Sequence, residues 1–332
     1  MTAAVLHLAV GPDRHGVVRF GIELDEALRA TDVDARLTRC VPTELDSGVH
    51  VQFTDRLFGR TAAEAATSIV ELAARTHAAG HRVTVTLHDL PQSSDGTHFA
   101  GRAEAYRRIC AAVDAVVVSS AHEAMLLDEV DARPPEVVVI PLPLATPVAR
   151  PSRPLAQPPS VGVFGYLYPG KGHDDVLAAM AAVPRNVWFM AIGEPSPGHD
   201  DLVESLSESA RLARRPFAVT GHVPGHALRA TLQAITVPVA HHRHVSASGS
   251  LNSWIAAGRR PLAPVGRYTS EIAERNPGAL LLYPDDPKGL ASAIAAALAR
   301  PDSTWLSPST VCEPSVAGAA QRYAEVLAAW HQ

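Results

Sequence analysis

Three short stretches combine glycine or serine with a helix start in a way that suits an anion. They are "GPDRHG" (residues 11–16), "GYLYPGKGHDD" (165–175) and "SASGSL" (246–251). Each follows an apolar run and leads into a helical pattern. Such a turn leaves backbone N–H groups free at the positive end of a helix, and small side chains let a phosphate approach them. Lys171 stands between two glycines in the second stretch, where its ammonium is a point charge within reach of a diphosphate. Any one of these loops could be no more than a tight turn. Together they favour a phosphorylated ligand.

Other residues have a narrower case. His88, in "TLHD" (86–89), stands at the carboxyl end of an apolar run, which favours a place in a cleft; Asp89 beside it reads as a residue that orients the loop. "HHRH" (241–244) invites a metal, but neighbours on an extended chain point to opposite faces, so His241 and His242 do not share an ion and no metal is expected. Trp254 falls on the core side of its helix. Asp200 and Asp201 read as a helix cap.

Positioning these residues requires a particular set of elements. Apolar runs at 5–10, 49–53, 83–87, 115–119 and 137–140 alternate with helical patterns at 17–30, 62–79, 103–112 and 121–127. Strands that lack a polar face, alternating with helices, predict a parallel sheet covered on both sides. "PLPLATPVARPSRPLAQPP" (141–159) then forbids a regular helix or central strand. Beyond it the alternation resumes, with strands at 160–165, 187–193, 217–220, 236–240, 261–263 and 279–283. Helices are expected at 174–182, 202–211, 227–233, after "SASG", and at 269–273, 288–299 and 317–330. The expected organisation is an N-terminal domain over 1–145, a linker over 146–159, a C-terminal domain over 160–316 and a last helix over 317–332 that returns to the first domain. The predicted fold class is α/β, two Rossmann-like doubly wound domains with a ligand cleft between them.

Composition removes several classes of function. The 332 residues are 47% hydrophobic and 19% charged, a globular balance rather than a disordered one. A net charge of −5 without a basic stripe argues against nucleic acid as the partner. Three distant cysteines, Cys40, Cys110 and Cys312, build neither a metal site nor a disulfide framework, and a reducing cytoplasm is expected. The first apolar run is too short to span a membrane and has no charged leader before it; peripheral membrane contact stays open.

An ordered series of segments resembles the family-4 glycosyltransferases. "VGVFGYLYPGKGHDDVLAAM" is similar to the opening of their C-terminal domain, and "MAIGEPSPGHDDL", "VTGHVPGHALRATLQAITVPVA" and "LLYPDDPKGLASAIAAAL" resemble its later units. "HHRHVSASGSLNSWIAAGRRPLAP" is similar to a variant loop with an S-x-S-G pattern. In the first half "GPDRHGVVRFGIELDEAL", "VTVTLHDLP", "AVVVSSAHEAMLL" and "VVVIPLPL" fit the same order. The resemblance covers nearly the whole chain, and its specificity lies in the order rather than in one motif.

The resemblance implies the GT-B fold and a retaining, metal-independent transferase that uses a UDP- or GDP-linked sugar and no cofactor. Lys171 would bind the donor diphosphate. Ser248, Gly249 and Ser250, with Ser246 before them, would offer a helix start to phosphate or sugar. Val223 would lie near the base, Gly16 would approach the donor from the other domain, and His88 would lie beside the transferred sugar. The acceptor would be a sugar, lipid or small molecule. The sequence departs from the family where Tyr166 and Tyr168 replace an arginine and where two glutamates of the usual loop are absent. Arg243 or Arg259 is expected to compensate for the arginine. Two other accounts remain, a catalytically silent binding or partner subunit and a sugar-nucleotide epimerase. A hydrolase would need a carboxylate pair; Glu23, Glu104, Asp114 and Glu123 read instead as surface charges. Residues 92–101 read as a mobile lid, and Arg102, Arg107 and Arg108 as a solvated helix face.

Overall fold

A computed structural model describes residues 4–152 and 157–332; the part of the expected linker at 153–156 lies outside the described residues. The chain divides into two compact units, residues 1–143 with 314–332, and residues 144–313. The first begins with strand β1 (Ala4–Leu8), helix α1 (Gly16–Leu28), β2 (Asp34–Thr38) and β3 (Gly48–Phe53). Helices α2 (Asp55–Phe58) and α3 (Ala62–Ala78) follow, then β4 (Val83–Leu87), a 3₁₀ turn over Ser93–His98, α4 (Phe99–Ala112), β5 (Ala115–Val118), α5 (Ala121–Glu129) and β6 (Val137–Val139). All six strands are parallel, in the order β2-β1-β3-β4-β5-β6. The chain therefore changes direction between β1 and β3, where the carboxyl ends of strands open a crevice for a ligand.

The second unit runs β7 (Ser160–Phe164), α6 (His173–Ala179), β8 (Trp188–Ile192), α7 (Asp201–Leu212), β9 (Phe217–Val219) and α8 (Gly225–Ala234). It continues with β10 (Val237–Val239), α9 (Gly249–Ala256), β11 (Leu262–Pro264), α10 (Arg267–Arg275), β12 (Leu281–Tyr283) and α11 (Pro287–Ala299). Its sheet is again parallel, ordered β12-β11-β10-β7-β8-β9, so its switch point lies between β7 and β10. The segment before β7 packs into this unit: Leu144 is buried in its core and Val148 N donates to Ala256 O. Helix α12 (Val316–Trp330) belongs to the first unit, where Tyr323, Leu327 and Trp330 pack with Leu24 and Leu28 of α1. Among the described residues no helix is long and apolar enough to cross a membrane.

Two sequence expectations need correction. The strand β2, "DARLT", was not foreseen, because an edge strand with one exposed face carries no apolar run. The expectation that the strands lack a polar face also fails in the middle of the first sheet. In β3 and β4 the residues alternate: Val49, Val51, Phe53, Val83, Val85 and Leu87 enter the apolar core beside α3 and α4. His50, Gln52, Thr84 and Thr86 point to the opposite face, yet are fully buried. Gln52 is satisfied by His7 and His88, and the other three by one another, by Tyr323 of α12 and by His331 just past it. His50 is hydrogen-bonded to Thr84 Oγ1 at 2.8 Å and Thr86 Oγ1 at 2.9 Å, Tyr323 reaches Thr86 at 3.2 Å, and His331 reaches Thr84 at 3.0 Å. Buried polar groups are affordable only when paired in this way.

This polar layer makes the first unit acid-sensitive. Burial first of all holds His50 well below its ordinary value of 6.5, His88 at about 3 and His331 at about 4. The unfolded chain therefore takes up protons first as pH falls. The stability these groups contribute is full above about pH 6.5 and is lost toward the folded values, at up to about 1.4 kcal/mol per pH unit for each imidazole. Urea unfolding at pH 7.5 and 5 should show this loss, and His331→Gln should make the dependence shallower; an unchanged slope in that variant would contradict the assignment.

Candidate functional site

The switch point of the second sheet brings together residues 79 positions apart. Lys171 lies in the loop after β7 and Ser250 in the first turn of α9, which follows β10. The Lys171 ammonium donates to Ser250 Oγ at 2.8 Å and to His242 Nε2 at 2.7 Å, and Ser250 Oγ is 3.2 Å from Ser248 Oγ. Ser248 caps α9: its Oγ accepts from Leu251 N at 3.1 Å, while its own N–H donates to Tyr268 Oη at 2.9 Å. Lys171 is only 5% exposed, and burial pushes its ammonium down to about 7. An ammonium has three donors, so one makes no hydrogen bond among the described residues, and the Tyr168 ring lies 5.9 Å from Nζ. Gly165 is required here by the chain itself. Its φ is +119°, and a Cβ on it would fall 2.7 Å from Lys171 Nζ.

The small residues at the helix start are different. A Cβ on Gly249 would meet nothing within 4 Å, and Gly249 is exposed. Neither packing nor backbone strain calls for glycine there. Ser246 is buried in the same loop, and Val223, half-buried, packs in the loop ahead of α8.

His242 was missed by the sequence reading, which weighed the histidine cluster only for metal. Its Nε2 accepts from Lys171, and burial, then the Lys171 charge, keeps it well below the ordinary range. His241 turns elsewhere, its Nδ1 2.6 Å from Tyr283 Oη and its Nε2 3.3 Å from Asp175 Oδ2. Among the described residues no group of three or more His, Cys, Asp or Glu side chains could hold a metal ion.

The two arginines expected to compensate are otherwise engaged. Arg243, half-exposed, donates to both oxygens of Asp175 at 2.6 and 2.5 Å and lies 3.4 Å from Asp174. Arg259 cannot reach a ligand at all. It is 1% exposed, and its three nitrogens donate to the carbonyls of Gln233, Ile235, Thr236 and Thr304 and to Thr304 Oγ1. Its role is to close the end of α8 and hold the 3₁₀ turn over Pro301–Thr304. Trp254 is fully buried, with Phe164 edge-on to it.

In the first unit Gly16 opens α1 after the switch strand β1, capped by His15, whose Nδ1 accepts from Val17 N at 3.3 Å. A Cβ on Gly16, too, would meet nothing within 4 Å. His88 follows β4 and is 7% exposed; its Nε2 is 2.9 Å from Gln52 Oε1, and Phe20 of α1 lies edge-on to the ring. Asp89 has a φ of +55°, rare for a residue with a side chain. The turn is held by Arg102, which donates to Asp89 O and reaches the carboxylates of Asp55 at 2.9 Å, Asp95 at 2.6 Å and Asp89 at 3.3 Å. Burial pushes the Asp89 carboxyl up, with Arg102 opposing.

Two sequence expectations are corrected by these contacts. Arg102 is not on a solvated face but is the centre of a cluster. Residues 92–101 comprise the 3₁₀ turn over Ser93–His98 and the start of α4, with Gln92 N donating to Asp95 Oδ2 at 3.0 Å. Glu123 is fully buried rather than a surface charge, its Oε2 accepting from Ser119 N at 2.6 Å. Arg107 and Arg108 do lie toward solvent, pairing with Glu104 and Thr67.

No protein-family model and no curated protein sequence matches the chain. Solved structures do. HepE of Anabaena, crystallised with UDP and glucose, has a TM-score of 0.68 at 14% identity, over 98% of this chain and 95% of its own. Sucrose-phosphate synthase from Thermosynechococcus elongatus gives 0.68 at 18%, over 98% and 94%. WaaG, a glycosyltransferase involved in lipopolysaccharide biosynthesis, gives 0.61 at 15%, over 97% and 95%. The chain thus has the two-domain α/β fold of these proteins, GT-B.

Lys171 allows a test of the site without any ligand. Its folded value, about 7, lies below its ordinary 10.5. The folded state therefore carries the full cost of the buried charge up to about pH 7 and is relieved of it as pH rises toward 10.5. Lys171→Met should stabilise the protein most at pH 6 and progressively less up to pH 10. A gain in melting temperature that does not shrink with pH would show that the ammonium is not desolvated.

Proposed function

We propose that the protein is a glycosyltransferase that moves a sugar from a nucleotide-diphospho-sugar to an acceptor, with retention of configuration and without a metal ion. The observation that carries this reading is a buried ammonium, with a donor to spare, set against the start of α9 at a topological switch point. That combination suits the diphosphate of a UDP- or GDP-linked donor. HepE, whose structures hold UDP and UDP-glucose, shares the fold and so supports the choice of ligand.

The reaction builds negative charge on the departing diphosphate while the sugar becomes oxocarbenium-like. Lys171 and the N–H groups at the start of α9 are placed to stabilise that charge, and a charge-assisted bond gains strength in a site this dry. An incoming diphosphate also favours the ammonium over the neutral amine, so binding below saturation of the lysine takes up a proton. Ser248 and Ser250 orient the ammonium, and Val223 borders the base. Gly16 leaves open space at the start of α1, and His88 serves beside the transferred sugar. Asp89 and Arg102 keep the His88 turn in place.

A second reading, a binding subunit that keeps the fold without turnover, has one observation in its favour. Arg259 is buried and the Arg243 guanidinium is paired with Asp175, so neither presents an unpaired guanidinium in place of the arginine that Tyr166 and Tyr168 replace. The transferase requires nucleotide to bind; a silent partner subunit does not. At a hundred times Kd, UDP or GDP should stabilise the fold by about 2.7 kcal/mol, and Lys171→Met should abolish the shift. Only the transferase will then consume a UDP- or GDP-sugar in a product assay by NMR. Absence of any nucleotide-dependent shift would remove the transferase reading.

The open space at Gly249 gives a sharper test. Gly249→Ala adds a methyl where the chain has no contact, and alanine is the better helix former by up to about 1 kcal/mol. Its melting temperature should therefore hold or rise while nucleotide affinity falls at least tenfold. Undiminished affinity would place the phosphates elsewhere.

A further inference from the structure

The buried polar face of the first sheet contains a line of contacts that ends on His88. His88 Nε2 is 2.9 Å from Gln52 Oε1, and Gln52 Nε2 is 3.0 Å from His7 Nε2. His7 Nδ1 lies 3.7 Å from Asp25 Oδ1. His7 and Gln52 are wholly buried and Asp25 nearly so. The second Asp25 oxygen accepts from Arg29 at 3.2 Å. His50, whose ring is 5.8 Å from that of His7, is committed to Thr84 and Thr86 and stays outside the line.

The order of protons along this line is set from its far end. Burial raises the Asp25 pKa, but His7 and Arg29 more than offset this, so the group is a carboxylate and can only accept. The His7 nitrogen that faces it must carry hydrogen, since a lone pair there would be repelled. His7 Nδ1 and Asp25 Oδ1 make no hydrogen bond, and at 3.7 Å their contact is electrostatic. Gln52 Nε2 faces His7 Nε2 at 3.0 Å, so the amide NH₂ donates there and His7 Nε2 accepts, which leaves the His7 hydrogen on Nδ1. The amide oxygen of Gln52 then faces His88, whose Nε2 must donate. Helix α1 closes over the amide at Gly21, where a Cβ would fall 3.2 Å from Gln52 Cγ.

We propose that Gln52 is a positioning residue which, oriented by Asp25 through His7, holds His88 as its Nε2–H tautomer and so presents Nδ1 to the substrate as a hydrogen-bond acceptor. Nδ1 makes no hydrogen bond among the described residues, so it is the ring atom left for a ligand. His88 then takes a hydrogen bond from a substrate hydroxyl and has no N–H with which to polarise a substrate oxygen. The assignment of this atom to the sugar rests on the transferase reading; the tautomer does not.

Nitrogen-15 NMR of histidine-labelled full-length protein separates the two. His88→Gln identifies the His88 signals. The wild-type ring should be a single Nε2–H tautomer; an Nδ1–H ring or an even mixture overturns the proposal. Gln52→Met and Asp25→Asn should each release the preference, and an unchanged tautomer in both would also overturn it. In the transfer assay Gln52→Met should lower kcat on the order of ten- to a hundredfold with little change in nucleotide affinity. A wild-type protein that shows the Nε2–H tautomer but transfers no sugar defeats the transferase reading alone.

Discussion

The Lys171 ammonium has no carboxylate partner among the described residues. It is held by a hydroxyl and a neutral imidazole, beside the positive end of a helix. Left to itself this is an expensive arrangement, because burial penalises charge and the helix end repels it. The rest of the second unit can be understood as what keeps the arrangement from relaxing. Gly165 lets the ammonium lie against the backbone, Tyr268 and Ser248 fix the start of α9, and Arg259 locks the end of α8. On the transferase reading, that one uncompensated charge is met by a diphosphate of opposite charge.

Much of the architecture was legible because strand and helix periodicity is a local signal. The runs at 83–87 and 160–164, and the helices over 62–78 and 316–330, could be read within a residue or two. Lys171 and the serines of "SASGSL" could each be nominated from small residues at a helix start. Their meeting is not a local property: it follows from β10 lying beside β7, which depends on the order of the whole sheet. His242 carried no signal beyond its place in a histidine run. Glu123 and Arg102 were misjudged because a charge on a helical pattern is normally solvated; what reversed this was a backbone N–H in one case and three carboxylates in the other. Gln52 and His7 sat in strands, where a polar residue would ordinarily mark a solvent face.

The first unit accordingly hides its polarity. One face of its sheet is an apolar core under α3 and α4; the other carries histidine, threonine and glutamine beneath α1, which adds Asp25, and α12. Such a layer adds little net stability, since each group exchanges water for a protein partner. It restricts geometry instead. A side chain whose donors and acceptors are all spoken for has one orientation, and His88 inherits that orientation at the layer's open end.

The return of α12 to the first unit has a consequence for biosynthesis. Residues 144–313 form a continuous unit, whereas the first is split by them. A ribosome therefore releases β1 to β6 with Leu24, Leu28 and Val117 still uncovered, and supplies Tyr323, Leu327 and Trp330 only after the whole insert has emerged. At roughly 5–20 residues per second that interval is on the order of 10 to 30 s. The nascent chain thus completes its later domain first, and its earlier one waits with an apolar flank that chaperones can recognise.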